Sequence, residues 1–417
     1  MFYQQSTLPN GLDVITEKIS GVRSLTLGLW FRVGSRDETA DQLGISHFME
    51  HMMFKGTHTR SALDISMAFD SMGAELNAFT SKEYTCYYAR FLDEHIEDAV
   101  EILADMLLNS VFAPEAIATE REVVIEEIAR YEDEPYDHVG DIFTEALFPT
   151  HQLGRPIIGT RDIVASFSQA NCSGHLAQHY HAGNAVLAAS GNIDHEHLVA
   201  LAKTFLSKMP SGSANERGEV NEANRELLTF EQKDTEQAHL LYGMPGIPLG
   251  SDDRFACRLM ETALGGPMSS RLFQEVREKR GLAYAVYAAT HPYMNASQFF
   301  IYVGTRPSNL AEVIQLLRAE ISLLIEKGLS EDELRRAQEY TVGHLVLSEE
   351  STRSHMLRLG SHAVQDLEIL SLDEGIERYR AVTLEDTMRV TEQVLAAPPT
   401  VAVISPLSET ELQSALA

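Results

Sequence analysis

Cysteine is scarce in this chain of 417 residues: there are three, Cys86, Cys172 and Cys257, far apart and without a C-x-x-C pair. An odd, scattered set argues against a disulfide framework or a cysteine-based zinc site, and leaves small hydrophobes for the interior. Long apolar runs are missing too. Stretches such as Ala185–Ala189 fall far short of the roughly 20 residues that a spanning helix needs, so no membrane partner is expected. The opening MFYQQSTLPNGL carries neither a basic stretch followed by an apolar core nor an Arg-rich amphipathic segment, and the expected compartment is the cytoplasm. Positive charge is in deficit: 33 Lys and Arg stand against 61 Asp and Glu, a net charge of −28. Nothing would neutralise a phosphate backbone, so no nucleic-acid partner is expected; the acidity either serves only to keep the surface soluble or is complemented by a cationic partner. The chain also lacks a Walker loop, a G-x-G-x-x-G and a G-x-S-x-G, which leaves nucleotide binding and serine hydrolysis without support.

What remains is a globular composition, 44% hydrophobic and 23% charged, over a length that predicts two or three domains. Alternation predicts strands at 11–17 and 24–33, and Thr, Tyr and Phe predict another over 77–91. Helical spacing predicts helices over 44–54, 62–72 and 95–109, and a long acidic one over 114–131 with Ile117, Val124 and Ile128 on its apolar stripe. Between Ser207 and Arg225 the text turns polar and rich in Gly, Pro, Ser and Asn, which marks a linker. After it the first half's order recurs: a strand at 238–244, a helix after Ser251, a Gly-rich bend, strands at 282–289 and 298–304, and two long helices. Phe48-Met49-Glu50 lines up with Leu259-Met260-Glu261 and Gly73 with Gly281, an offset of about 210 residues, near the usual domain size. The expected fold is α+β: two duplicated domains, 1–210 and 220–417, each an antiparallel-rich sheet packed with helices.

The most informative stretch is GISHFMEHMMFKG, with His47, Glu50 and His51. Four helical positions turn about 400°, so the two imidazoles lie about 40° apart on one face and can share a metal ion. Glu50 falls about 60° to the other side of His47, where a carboxylate can take a proton from water. This is the H-x-x-E-H order, the reverse of H-E-x-x-H. A catalytic zinc usually takes three protein ligands, and the acidic helix offers Glu120, Glu122, Glu126 and Glu127. Glu120 and Glu127 are about 20° apart in azimuth and form one ridge. Glu127 is the expected ligand, with Glu120 behind it as an orienting or proton-handling group, and Glu126 is expected in solvent. A second helical pair, His175 and His179 with His181 beside it, has no acidic neighbour in sequence and is expected to be structural.

These motifs together resemble the M16 family of zinc metallopeptidases, and within it the bacterial branch similar to mitochondrial processing peptidase. The family carries H-x-x-E-H followed by a glutamate some 76 residues on, and here Glu127 follows His51 by 127 − 51 = 76 residues. The 120–127 text EREVVIEE matches the family helix, and GAELNAFTSKEYTCYY from Gly73 resembles its substrate-binding edge strand. RLFQEVREKRGLAY, from Arg271 to Tyr284, resembles the segment whose Arg and Tyr, seven residues apart, reach the active site.

The resemblance covers essentially the whole chain. It implies Zn2+ held by His47, His51 and Glu127 in the first half, with Glu50 as the general base and Glu120 in support. It also implies that Arg277 and Tyr284 come from the second half to a substrate carbonyl, and that the strand Asn77, Ala78, Phe79 and Thr80 pairs with a peptide. Under the repeat alignment His47 and His51 fall opposite Arg258 and Thr262, and Glu127 near Gly343, so the second half lacks the ligands. The expected activity is that of a zinc endopeptidase cutting peptides or unfolded basic segments in a closed chamber, as a homodimer or a heterodimer with a homologue. The alternative is a non-catalytic, peptide-binding chamber subunit.

Overall fold

β-Branched and alternating runs build two sheets that share one topology. The computed structural model describes residues 2–220 and 227–416. Its first sheet contains β1 (Gln4–Thr7), β2 (Asp13–Lys18), β3 (Ser24–Phe31), β4 (Glu75–Thr80), β5 (Thr85–Leu92) and β6 (Ala185–Gly191), in the order β1-β2-β6-β3-β5-β4. The second contains β7 (Leu227–Gln232), β8 (Ala238–Pro245), β9 (Ala283–Pro292), β10 (Ser297–Thr305) and β11 (Thr400–Ser405), in the order β7-β11-β8-β10-β9. In each sheet one pair is parallel, β2 with β6 and β7 with β11, and the other pairs are antiparallel. With β1 set aside, order and direction match strand for strand, which is the duplication expected from the repeated text. The single strand expected over 77–91 is instead a hairpin. Ser81 turns it, its backbone N–H donating to Tyr84 O and its hydroxyl oxygen accepting from the N–H groups of Glu83 and Tyr84.

The first half also forms helices α1 (Ile45–Met52), α2 (Ala62–Ser71), α3 (Ile96–Asn109), α4 (Pro114–Asp133) and α5 (Pro135–Leu147). The compact units are not the sequential halves. One comprises Met1–Ala129, Arg155–Gly218 and Ser348–Ser371, and the other Arg130–Gly154, Glu219–Leu347 and Leu372–Ala417. Each half thus gives one helix to the unit built around the other half's sheet. In the first unit that helix is Thr352–Val364, whose Met356, Leu359 and Val364 bury against Trp30, Tyr88 and Ala188. In the second it is α5, whose Val139, Phe143 and Leu147 bury against Leu241, Phe300 and Ala402.

The reason lies in the strands. Leu25 to Phe31 of β3 are buried without a break, so both faces of the sheet need cover. Local helices supply one face: Leu27, Leu29 and Phe31 share a core with Phe48 of α1 and Leu103 of α3. The donated helix covers the other. It lies close because Gly360 has no side chain: a Cβ there would stand 2.0 Å from the Trp30 indole nitrogen.

The expected linker is partly tied down. Arg217 forms ion pairs with Asp37 at 2.7 Å and Glu83 at 3.8 Å, and Asn215 donates to Arg32 O, so the segment belongs to the first unit as far as Gly218. Residues 221–226 lie outside the described residues. Among the described residues no helix is long and apolar enough to cross a membrane.

Candidate metal centre

The sequence around α1 places three chemical groups on one side of a short helix. Ile45, Phe48, Met49 and Met52 are buried in the core, which leaves His47, Glu50 and His51 on the remaining arc. Gly44 starts the helix at φ 88, and a Cβ there would meet Ile158 O at 2.5 Å, so both conformation and space call for glycine. The buried Glu38 carboxylate caps the turn, accepting from the backbone N–H of Gly44 at 2.7 Å and of Ser46 at 2.8 Å. Burial pushes the Glu38 carboxyl up to about 8, against the pull of those two donors.

His47 and His51 stand with ring centroids 4.8 Å apart. Both turn Nε2 toward one carboxylate oxygen on α4: Glu127 Oε2 lies 3.8 Å from His47 Nε2 and 3.6 Å from His51 Nε2. The ligand atoms of the three residues all lie within 4.8 Å of one another. Ligands about 2.0–2.2 Å from a tetrahedral zinc stand roughly 3.3 Å apart, and a two-nitrogen, one-oxygen set is one that catalytic zinc takes, so this donor set fits the ion. Burial, with His51 beside it, lowers His47 to about 4, so its ring is neutral near pH 7 as a ligand must be.

The other polar atoms serve these groups. Glu120 lies on the buried stripe of α4 with Ile117, Val124 and Ile128. It places Oε2 3.1 Å from His51 Nδ1, while Lys55 Nζ stands 2.6 Å from its Oε1. Glu50 accepts a hydrogen bond from the Thr80 hydroxyl at 2.6 Å. Burial raises the Glu50 carboxyl above the ordinary 4.5, with the Thr80 bond opposing. Thr80 is the last residue of β4, an edge strand of the first sheet that pairs with β5 on one side. Asn77, Ala78, Phe79 and Thr80 therefore all lie on a sheet edge, and the edge ends beside Glu50.

Arg277 and Tyr284 lie in the second unit and touch each other. Arg277 Nη1 donates to Tyr284 O at 2.9 Å, its guanidinium sits 4.4 Å from the Tyr284 ring centroid, and Tyr284 is 77% exposed. Arg277 falls in the π-helical turn Phe273–Glu278.

Among the described residues a second group also brings three ligand atoms within 4.8 Å: Glu17, Glu349 and His355. There Arg358 already supplies the cation, pairing with Glu17 at 2.9 Å and Glu349 at 3.4 Å. His175 and His179 set their ring centroids 4.7 Å apart in the interior with the planes tilted at 49°, burial lowers His175 to about 3, and His179 pairs with Asn215.

Sequence spacing missed Lys55 and the Thr80 hydroxyl. A lysine four residues after a candidate ligand was a signal for the first. The second depends on a hairpin lying across the helix and has no local signature.

Residues 13–161 match the family model of the insulinase peptidases, family M16, and residues 174–340 that of the peptidase M16 inactive domain. A relative in Streptomyces coelicolor, named an uncharacterized zinc protease, is 42% identical over 415 residues, 97% of this chain and 90% of its own. The Bacillus subtilis relative YmxG, named likewise, is 40% identical over 400 residues, 96% of this chain and 97% of its own. Among solved structures, a peptidase M16 inactive domain from Pseudomonas fluorescens superposes with a TM-score of 0.91 at 21% identity, over 98% of this chain and 99% of that one. A Helicobacter pylori protease gives 0.90 at 20% identity, over 97% and 99%. Both share the fold.

Proposed function

The chain belongs to peptidase family M16, the insulinase family, and we propose on that footing that it is a zinc-dependent endopeptidase. The observation that carries the reading is the convergence of His47 Nε2 and His51 Nε2 on Glu127 Oε2, with Glu50 on the same helix. His47, His51 and Glu127 would hold the zinc, whose chemistry there would be to lower the pKa of water and to polarise a scissile carbonyl.

The rest falls to the chain's own side chains. Glu50 takes the proton of the attacking water and later delivers it to the departing amine. Thr80 holds the Glu50 carboxylate in place through one oxygen, leaving the other to work. The edge of β4 pairs with the substrate main chain by strand addition, which gives affinity without demanding a particular sequence. Arg277 and Tyr284 bind the substrate carbonyl or the oxyanion that develops from it. The net charge of −28 favours peptides or unfolded segments that are basic. Cleavage takes place in a chamber closed by a second copy or a homologue.

The test is metal content and turnover on a library of quenched peptides, comparing the wild type with Glu50→Gln. One zinc per chain in both, with cleavage by the wild type alone, is expected. A wild type that binds zinc yet cuts nothing, alone or with chains from the same cell, would make it a non-catalytic chamber subunit. Failure of both to bind metal would refute the ligand set.

A further inference from the structure

His51 and His47 are supported unequally. Among the described residues, His47 Nδ1 is buried without a hydrogen-bond partner. His51 Nδ1 faces Glu120 Oε2 at 3.1 Å, and Glu120 is in turn gripped through Oε1 by Lys55 Nζ at 2.6 Å. We propose that Lys55 is a positioning residue for the metal centre, fixing Glu120 so that the His51 ring presents Nε2 to the ion. The inference rests on the reading of His47, His51 and Glu127 as ligands.

The geometry gives three reasons. The Glu120 carboxylate is bonded at both oxygens, to a different partner at each, which leaves it one orientation. A carboxylate accepting from Nδ1–H keeps the proton on that nitrogen and leaves the Nε2 lone pair free, and Nε2 is the atom turned to Glu127. Lys55 is itself anchored. Its backbone N–H donates to Met52 O at 3.1 Å, so the ammonium is held on the turn that closes α1 while it reaches a residue of α4. The two helices that carry the proposed ligands are thereby tied at a point that also orients a ligand.

Charge points the same way. Glu50, Glu120 and Glu127 bring three carboxylates to one site, and a divalent ion balances two. The Glu120 side chain is only 5% exposed, so solvent does little to screen it and a local cation is needed. An ordinary surface ion pair, by contrast, would contribute little and would not touch metal affinity.

The experiment measures the zinc dissociation constant of the full chain by competition with a chromophoric chelator. It compares wild type, Lys55→Met, Lys55→Arg, Glu120→Gln and the double variant Lys55→Met/Glu120→Gln. Loss of such outer partners weakens metal binding about 10–100-fold, and that is the fall expected for Lys55→Met. Lys55→Arg should restore most of the affinity. The double variant should be no weaker than Glu120→Gln, because the two residues act through one path. The metal-free melting temperature of Lys55→Met should fall, because the buried Glu120 loses its cation, whereas that of the double variant should match Glu120→Gln.

Wild-type affinity in Lys55→Met, or losses that multiply in the double variant, would overturn the proposal. So would a loss that Arg does not rescue and that travels with a double variant melting below Glu120→Gln without metal, since Lys55 would then be merely structural. A wild type that binds no zinc would instead overturn the metal site itself.

Discussion

Thr80 ends the edge strand β4 with its hydroxyl donating to Glu50 Oε2 at 2.6 Å, so the strand proposed to hold the peptide and the proposed general base share a hydrogen bond. Whatever seats a peptide along 77–80 is thereby seated at a fixed offset from the carboxylate that must act on water. A hydrogen bond to a charged group contributes about 1.5–3 kcal/mol. Thr80→Val should therefore lower kcat roughly 10–100-fold while zinc content stays at the wild-type level, and Thr80→Ser should recover most of it. An unchanged kcat in Thr80→Val would show that Glu50 is held by other means.

Glu127→Gln keeps the shape of the side chain and removes its charge. With two imidazoles left, zinc should bind too weakly to survive dialysis. In the wild type, zinc at a hundredfold excess over its Kd should stabilise the fold by about 2.7 kcal/mol. That gain should vanish in Glu127→Gln, and calorimetry with and without zinc reads it directly. A zinc-dependent rise in melting temperature that persists in the variant would place the metal elsewhere.

Stability should carry a pH signature from the helix Thr352–Val364. His355 sits between Glu17 Oε1 and Glu349 Oε2, each at 3.0 Å, with Arg358 bonded to both carboxylates. Burial opposes the imidazolium, but the bonds to Glu17 and Glu349 outweigh it and raise the pKa above the ordinary 6.5. The folded state binds the proton more tightly than the unfolded one. The contribution is thus complete below about pH 6.5 and is lost as pH rises through the raised value. Denaturant titrations of wild type and His355→Gln should differ by about 1.5–3 kcal/mol at pH 6 and draw together in mild alkali. A gap that widens with pH would contradict this sign.

Substrate charge gives a fourth expectation. A basic peptide should be cut faster than its acidic counterpart at low salt, and the two rates should converge as added salt shortens the Debye length from about 10 Å at 0.1 M to about 3 Å at 1 M. Equal rates at low salt would remove charge selection from the account.

Much of this was legible in the chain. His47, Glu50 and His51 share a face because helix geometry is local, and α1 holds them there. The same rule made a ridge of Glu120 and Glu127. Choosing between them needed more than azimuth: Glu120 sits on the buried stripe behind His51, while Glu127 faces both imidazoles. The repeat was visible as text, and the two sheets match strand for strand.

Partner choice was not legible. The apolar faces of α5 and of Thr352–Val364 carry the same spacing as helices that stay with their own half, and a hydrophobic stripe says that it will be covered without saying by what. Which sheet each helix covers was settled by shape, as where Gly360 admits the Trp30 indole. Thr80 and Lys55 follow the same logic. Their bonds to Glu50 and Glu120 link residues 30 and 65 positions apart (80 − 50 and 120 − 55). Periodicity reports what neighbours in sequence do within a turn or a pleat. Contacts between distant segments exist only once the sheet, its hairpin and its covering helices have packed.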